Sequence, residues 1–240
     1  MSYSIPDTRW EMPELLTPGR KPVGNVILDK SDQIARDLWG YWLVNEGSGF
    51  PRNLVSNKND FTFNTTMPAW GIGKSGRYLD FYPSAANSNI WQDLDGDAIG
   101  TGDFSFFVKI NHVHGGIYYP IAFSGEFSIF SQHTSSSNNW GFYDGSRHVS
   151  GEILTDGEDY CLLVSRKGST ISLYRDGKFV TSFSNSKDIT TNRFVMGSWT
   201  FSVAAFGRDK IYFAGVLKRS LSAAEVWSLH HNNYKVLTPA

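Results

Sequence analysis

The sequence predicts an all-β domain, and three observations carry that prediction. The 240 residues include 17 Phe, 11 Tyr, 8 Trp and 23 Gly, and aromatic runs broken by small turn residues are the composition of strands and tight turns. Thr170–Arg175 and Lys178–Phe183 flank the dipeptide Asp176-Gly177, which favours the type I′ turn of a two-residue hairpin. Near the end, an alternating run from Ile211 to Gly215 passes through Lys218-Arg219 into one short helix start, with Ser222 as N-cap and Glu225 three residues on. That pair forms a capping box, and Leu221 with Val226 is its hydrophobic staple. So short a helix needs tertiary packing. Val226, Trp227 and Leu229 are expected to supply it against the sandwich, with Trp227→Ala the severe loss.

A chain of this length accommodates one large sandwich. Its 22 basic and 23 acidic residues nearly cancel, so no field directs it to nucleic acid or to an anionic membrane. No apolar run is long enough to span a bilayer. The opening residues lack a basic stretch followed by an apolar one, so a signal peptide is not expected and folding in a cytosol is. The single cysteine, Cys161, lies in the apolar run Tyr160–Val164. It reads as a buried, inert thiol.

Residues 1–37 differ from the rest. Pro6, Pro13, Pro18 and Pro22 recur with Gly19 and Gly24, and proline fixes φ and pushes its predecessor to extended conformations. This segment is expected to be an extended arm, neither helix nor central strand, with Trp10, Leu15 and Leu16 as isolated apolar anchors for a partner surface. The folded domain then runs over 38–240. Leu38–Val44 reads as its first strand, ending in the turn chemistry of Asn45–Gly49. Further strands follow at Tyr78–Tyr82 and Phe104–Ile110. In the Asp176-Gly177 hairpin, counting outward pairs Tyr174 with Phe179 and Leu173 with Val180. That places Ile171, Leu173 and Val180 on one face and Tyr174, Phe179 and Phe183 on the other.

Several of these phrases, in this order, resemble the laminin-G-like, concanavalin A-like jelly-roll family. They are Leu38–Gly49, Gly73–Phe81, Thr101–Ile110, Ile171–Val180 and the closing strand, basic pair and Leu221-Ser222-x-x-Glu225-Val226 helix. The resemblance spans residues 38–237 and implies a two-sheet antiparallel jelly-roll sandwich with an extended N-terminal arm and a short C-terminal helix. Fold alone does not give function.

Candidate sites were weighed against ordinary structural roles. Glycosidases need two carboxyl groups flanking the scissile bond. Glu152, Asp156 and Glu158 have the wrong spacing, and Asp156-Gly157 breaks the strand, so they read as solvated turn carboxylates. Asp93–Asp97 lacks the glycine and the bidentate glutamate of a calcium loop, having Ala98 and Phe104 at those places, and reads as an acidic surface turn. His112 and His114 lack identifiable further zinc ligands. His230-His231 complement the dipole at the helix C-terminus. Asn139, Trp140 and Tyr143 form a possible glycan-binding set, since lectins stack sugars on aromatic rings, but a strand whose aromatics face the core is the favoured reading. No catalytic residue, metal or cofactor is expected.

The arm Leu16–Gly24 and the tail Asn232–Leu237 further resemble laminin-G-like proteins of tailed bacteriophages. That resemblance implies a non-enzymatic virion structural protein, a capsid decoration or head-fibre protein, assembled in the host cytoplasm. Its partners would be other virion proteins and copies of itself, with a host-surface glycan as a further ligand. The alternatives are a lectin-like carbohydrate-binding module of a tail or fibre adhesin and, behind it, a glycoside hydrolase.

Overall fold

A computed structural model describes residues 21–22, 26–57, 60–64, 67–81, 88–115, 118–132, 139–200 and 208–239. In chain order the elements begin with β1 (Val26–Leu28), α1 (Gln33–Asp37), β2 (Leu38–Trp42), β3 (Thr62–Asn64), β4 (Ala69–Gly73) and β5 (Gly76–Asp80). They continue with β6 (Asn89–Asp93), β7 (Phe104–Asn111), β8 (Ile121–Phe123), β9 (Phe127–Phe130), β10 (Asn139–Tyr143) and β11 (Arg147–Ile153). The last are β12 (Asp159–Lys167), β13 (Thr170–Arg175), β14 (Lys178–Ser184), β15 (Arg193–Met196), β16 (Lys210–Leu217), α2 (Ala223–His231) and β17 (Leu237–Pro239).

Two antiparallel sheets face each other, as the sequence predicts. One has seven strands in the order β11-β10-β9-β8-β15-β6-β3, and the other eight, β14-β13-β12-β7-β16-β5-β4 with β2 also on β16. Strand β7 shows why the sequence folds this way. Its side chains alternate: Phe104, Phe106, Val108 and Ile110 enter the core between the sheets, while Phe107 enters a second core on the outer face. Both faces are covered, so the strand reads as a nearly unbroken apolar run. Within the main core Trp42 stacks on Phe194 at 4.2 Å, and Phe106 stacks on Phe123 at 5.1 Å.

The second core lies on the outer face of the eight-stranded sheet. Val26 and Leu28 of β1, Ile34 and Ala35 of α1, Val226 and Leu229 of α2, and Tyr234, Val236 and Leu237 pack there on Tyr41, Phe107, Leu163 and Phe213. Both helices begin as their sequences dictate. Asp32 caps α1 by accepting from Ile34 N (2.8 Å) and Ala35 N (3.2 Å), and Ser222 with Glu225 completes the capping box of α2.

Three expectations are corrected. The segment 1–37 is not extended throughout. Val26–Leu28 pairs with Leu237–Pro239 and Gln33–Asp37 is helical, because the prolines end at Pro22 and Asp32 supplies a cap. Residues 1–20, with Trp10, Leu15 and Leu16, lie outside the described residues. Second, the hairpin turn has the expected left-handed pair, Asp176 (φ 52) and Gly177 (φ 79), and pairs Tyr174 with Phe179. A bulge then pairs Leu173 with Thr181, not Val180. An extra residue on one strand swaps the faces beyond it, so Phe183 sits opposite Ile171 and packs on the main core. Third, Trp227 does not pack on the sandwich with Val226 and Leu229. It is 55% exposed and stacks on His231, one turn along the helix surface, at 3.8 Å.

Candidate functional site: an aromatic cluster on the outer face of the seven-stranded sheet

Alternation along β10 decides which of its residues reach solvent. Trp140 and Phe142 belong to the main core, so Asn139, Gly141 and Tyr143 take the outer face. Trp140 is wholly buried and has no ring face to offer a sugar, which removes it from the sequence-derived glycan set. Asn139 and Tyr143 are both half-buried. Between them Gly141 leaves no room for a side chain: a Cβ there would lie 2.0 Å from the His148 carbonyl oxygen and 2.8 Å from the Phe130 ring.

Tyr143 does not stand alone. Trp199, half-buried, meets it edge to face at 4.6 Å, and Tyr119 lies 5.7 Å from Trp199 and 6.2 Å from Tyr143. Tyr119 comes from the loop before β8 and Trp199 from the segment after β15. Pairing of β15 with β8 brings those loops together, and a Gly125 N to Trp199 O hydrogen bond of 3.2 Å ties the Trp199 backbone to the β8–β9 turn. Arg147 is the cross-strand partner of Tyr143. Directly opposed residues share a face with Cβ atoms about 5 Å apart, so the guanidinium borders the cluster. Burial pushes the Tyr119 phenol up, and the nearby Arg147 charge counteracts that push. Beneath the turn, Asp144 accepts from Ser146 N (2.9 Å), His148 Nε2 (3.1 Å) and the Asn185 amide.

The other sequence candidates take structural places. Glu152 pairs with Arg175 (3.2 Å), Glu158 with Lys74 (3.3 Å), and Asp156 accepts from His114 N (2.8 Å). Asp93 takes both arms of Arg193, at 2.7 and 3.0 Å. His112 and His114 diverge. The wholly buried His112 places Nδ1 3.0 Å from Asp209, and the same carboxylate accepts from Val113 N (3.0 Å) and from the Ser131 hydroxyl. The carboxylate stands between serine and imidazole, whereas in a nucleophilic triad the imidazole stands between serine and carboxylate. Among the described residues, no cluster of three or more His, Cys, Asp or Glu is placed to hold a metal ion. A separate cleft of about 320 Å³ lies between β12, β13 and the start of α2, lined by Ser165, Lys167, Ser172, Tyr174, Ser222 and Glu225. Glu225 there is already bound to Ser222 and Arg219.

Sequence reasoning found Tyr143 and missed Tyr119, Trp199 and Arg147. Arg147 was accessible in principle, because the Asp144-Gly145-Ser146 turn sets it opposite Tyr143. Tyr119 and Trp199 are neighbours only through the β8–β15 pairing, which no local pattern specifies.

Similarity to solved structures is confined to the fold. Domain 4 of AbnA, a GH43 extracellular arabinanase from Geobacillus stearothermophilus in complex with arabinotriose, superposes with a TM-score of 0.59 at 16% identity, over 81% of this chain and 98% of that one. The binding domain of Paraclostridial Mosquitocidal Protein 1 gives 0.58 at 13% identity, over 85% of this chain and 54% of that one. The botulinum neurotoxin serotype D binding domain gives 0.56 at 10% identity, over 83% and 52%. The chain thus spans about half the length of these two toxin domains. No protein-family profile and no curated protein matches the sequence. The chain is a β-sandwich of the kind that these binding domains share.

Proposed function

We propose that this chain is a non-catalytic carbohydrate-binding module that holds a saccharide on the outer face of its seven-stranded sheet. The observation that carries this reading is the partly exposed Tyr143–Trp199 pair, backed by Tyr119 and bordered by Arg147. Aromatic faces bury the apolar side of a sugar ring, while polar groups at the rim fix its hydroxyls. The arabinotriose complex of AbnA domain 4 supports the reading by analogy of fold.

The test is calorimetric titration with a panel of oligosaccharides, arabinotriose included, on the intact protein and on Tyr143→Ala and Trp199→Ala. Each variant should weaken binding about tenfold or more, as expected for loss of an aromatic anchor, without hydrolysis of any sugar. Binding unchanged in both variants would remove the site. Sugar turnover abolished by Glu152→Gln or Glu158→Gln would overturn the non-catalytic part.

The virion role is a second and separate proposal, favoured by the Pro/Gly/Lys composition of Leu16–Gly24. In it, the module is displayed on a phage particle and docked through the part of its arm that precedes β1, since β1 and α1 pack in the chain's own core. The tail Asn232–Leu237 contributes nothing to docking, because Tyr234, Val236 and Leu237 are buried in the chain's own core. Co-sedimentation with purified particles, lost on deleting residues 1–20, tests it.

A further inference from the structure

Resting on the saccharide reading above, we propose that the ligand of the Tyr143–Trp199 cluster is an acidic sugar, its carboxylate held by Arg147 while its ring lies against the aromatic side chains. Three features converge on this. Arg147 is exposed and has no ion-pair partner among the described residues, whereas Arg175, Arg193 and Arg219 all pair with carboxylates. Its backbone is fixed by the register that sets it across from Tyr143, and its charge lies close enough to Tyr119 to act on that hydroxyl.

The acidic side chains of the adjoining turns are also occupied. Asp144 is taken up by Ser146, His148 and Asn185. Glu126 accepts from Thr190 N (2.6 Å) and Thr191 N (3.1 Å). Neither carboxylate is paired with Arg147, whose guanidinium keeps its donors for a ligand. A planar guanidinium matches a carboxylate through two parallel hydrogen bonds, which a hydroxyl cannot reproduce. A uronic acid unites that carboxylate with a ring able to stack.

Titration of the intact protein with trigalacturonic acid and with arabinotriose decides the matter. The acidic trisaccharide should bind at least about tenfold tighter, the effect of one charge-assisted bond, and the gap should narrow as salt screens the pair. Arg147→Gln should erase the preference and leave weak neutral binding in place, and Arg147→Lys should restore part of it. Equal affinity for both sugars, or an acidic preference that survives Arg147→Gln, would overturn the inference while leaving the saccharide site standing. Binding of neither class to the intact protein would overturn the site reading itself.

Discussion

Lys21 is held in an unusual setting. It is 8% exposed, and its ammonium donates to the carbonyls of Val44 (2.6 Å), Arg77 (2.6 Å) and Tyr212 (2.7 Å). Burial pushes its pKa well below that of a free lysine, and Glu46 opposes the shift. Three acceptors for three N–H donors are nevertheless the complement of the charged form. Val44 adopts φ 55, a left-handed conformation costly for a β-branched residue, and its carbonyl is one of the three. Lys21→Met should strand three buried carbonyls and destabilise the protein by about 3 kcal/mol or more, measured by chemical denaturation; an unchanged midpoint would mean the side chain is seated elsewhere. Nothing in the sequence marks Lys21, since lysine is the residue least expected inside. Cys161 is the opposite case. Its apolar run predicts a buried thiol, and burial pushes the thiol up to about 12. The thiolate is then scarce at neutral pH, so iodoacetamide should leave native Cys161 unmodified and alkylate it only after unfolding. Fast labelling of the folded protein would contradict this.

Elements were legible where local chemistry sets them. Ser222 and Glu225 announce α2, and Asp176-Gly177 announces the β13–β14 turn. The bulge opposite Leu173 was not legible, because it is chosen by packing: it carries Phe183 onto the main core and leaves Phe179 57% exposed beside Tyr174. The same gap separates the two expectations for α2. Ser222→Ala removes the cap and should cost about 1 kcal/mol. Trp227→Ala, expected from the sequence to be severe, should fall within about 0.5 kcal/mol of the parent, because a half-exposed ring on the helix surface leaves no cavity. Thermal melting of the two variants should therefore rank them opposite to the sequence expectation. A large loss for Trp227→Ala would show that its ring is buried after all.

At the scale of the whole molecule, period-two alternation and turn residues specify two facing sheets, but they do not specify which strands become neighbours. The strand order places β15 beside β8 although some seventy residues separate them, and that pairing brings Tyr119 and Trp199, from two loops, beside Tyr143 of β10. The candidate site was thus readable only in its Tyr143 corner: the favoured reading of aromatics facing the core holds for Trp140 and Phe142, while Tyr143, one residue out of phase, turns outward. The second core explains why the chain spends a strand, two helices and its tail on the far side. These elements cover the eight-stranded sheet, on the side of the molecule opposite the aromatic cluster. A crystal structure of the protein with the tightest-binding oligosaccharide tests that division most directly. The account predicts a sugar ring against Tyr143 and Trp199 with an oxygen on Arg147. A ligand seated instead in the serine-lined cleft beside α2, with the aromatic cluster bare, would contradict it.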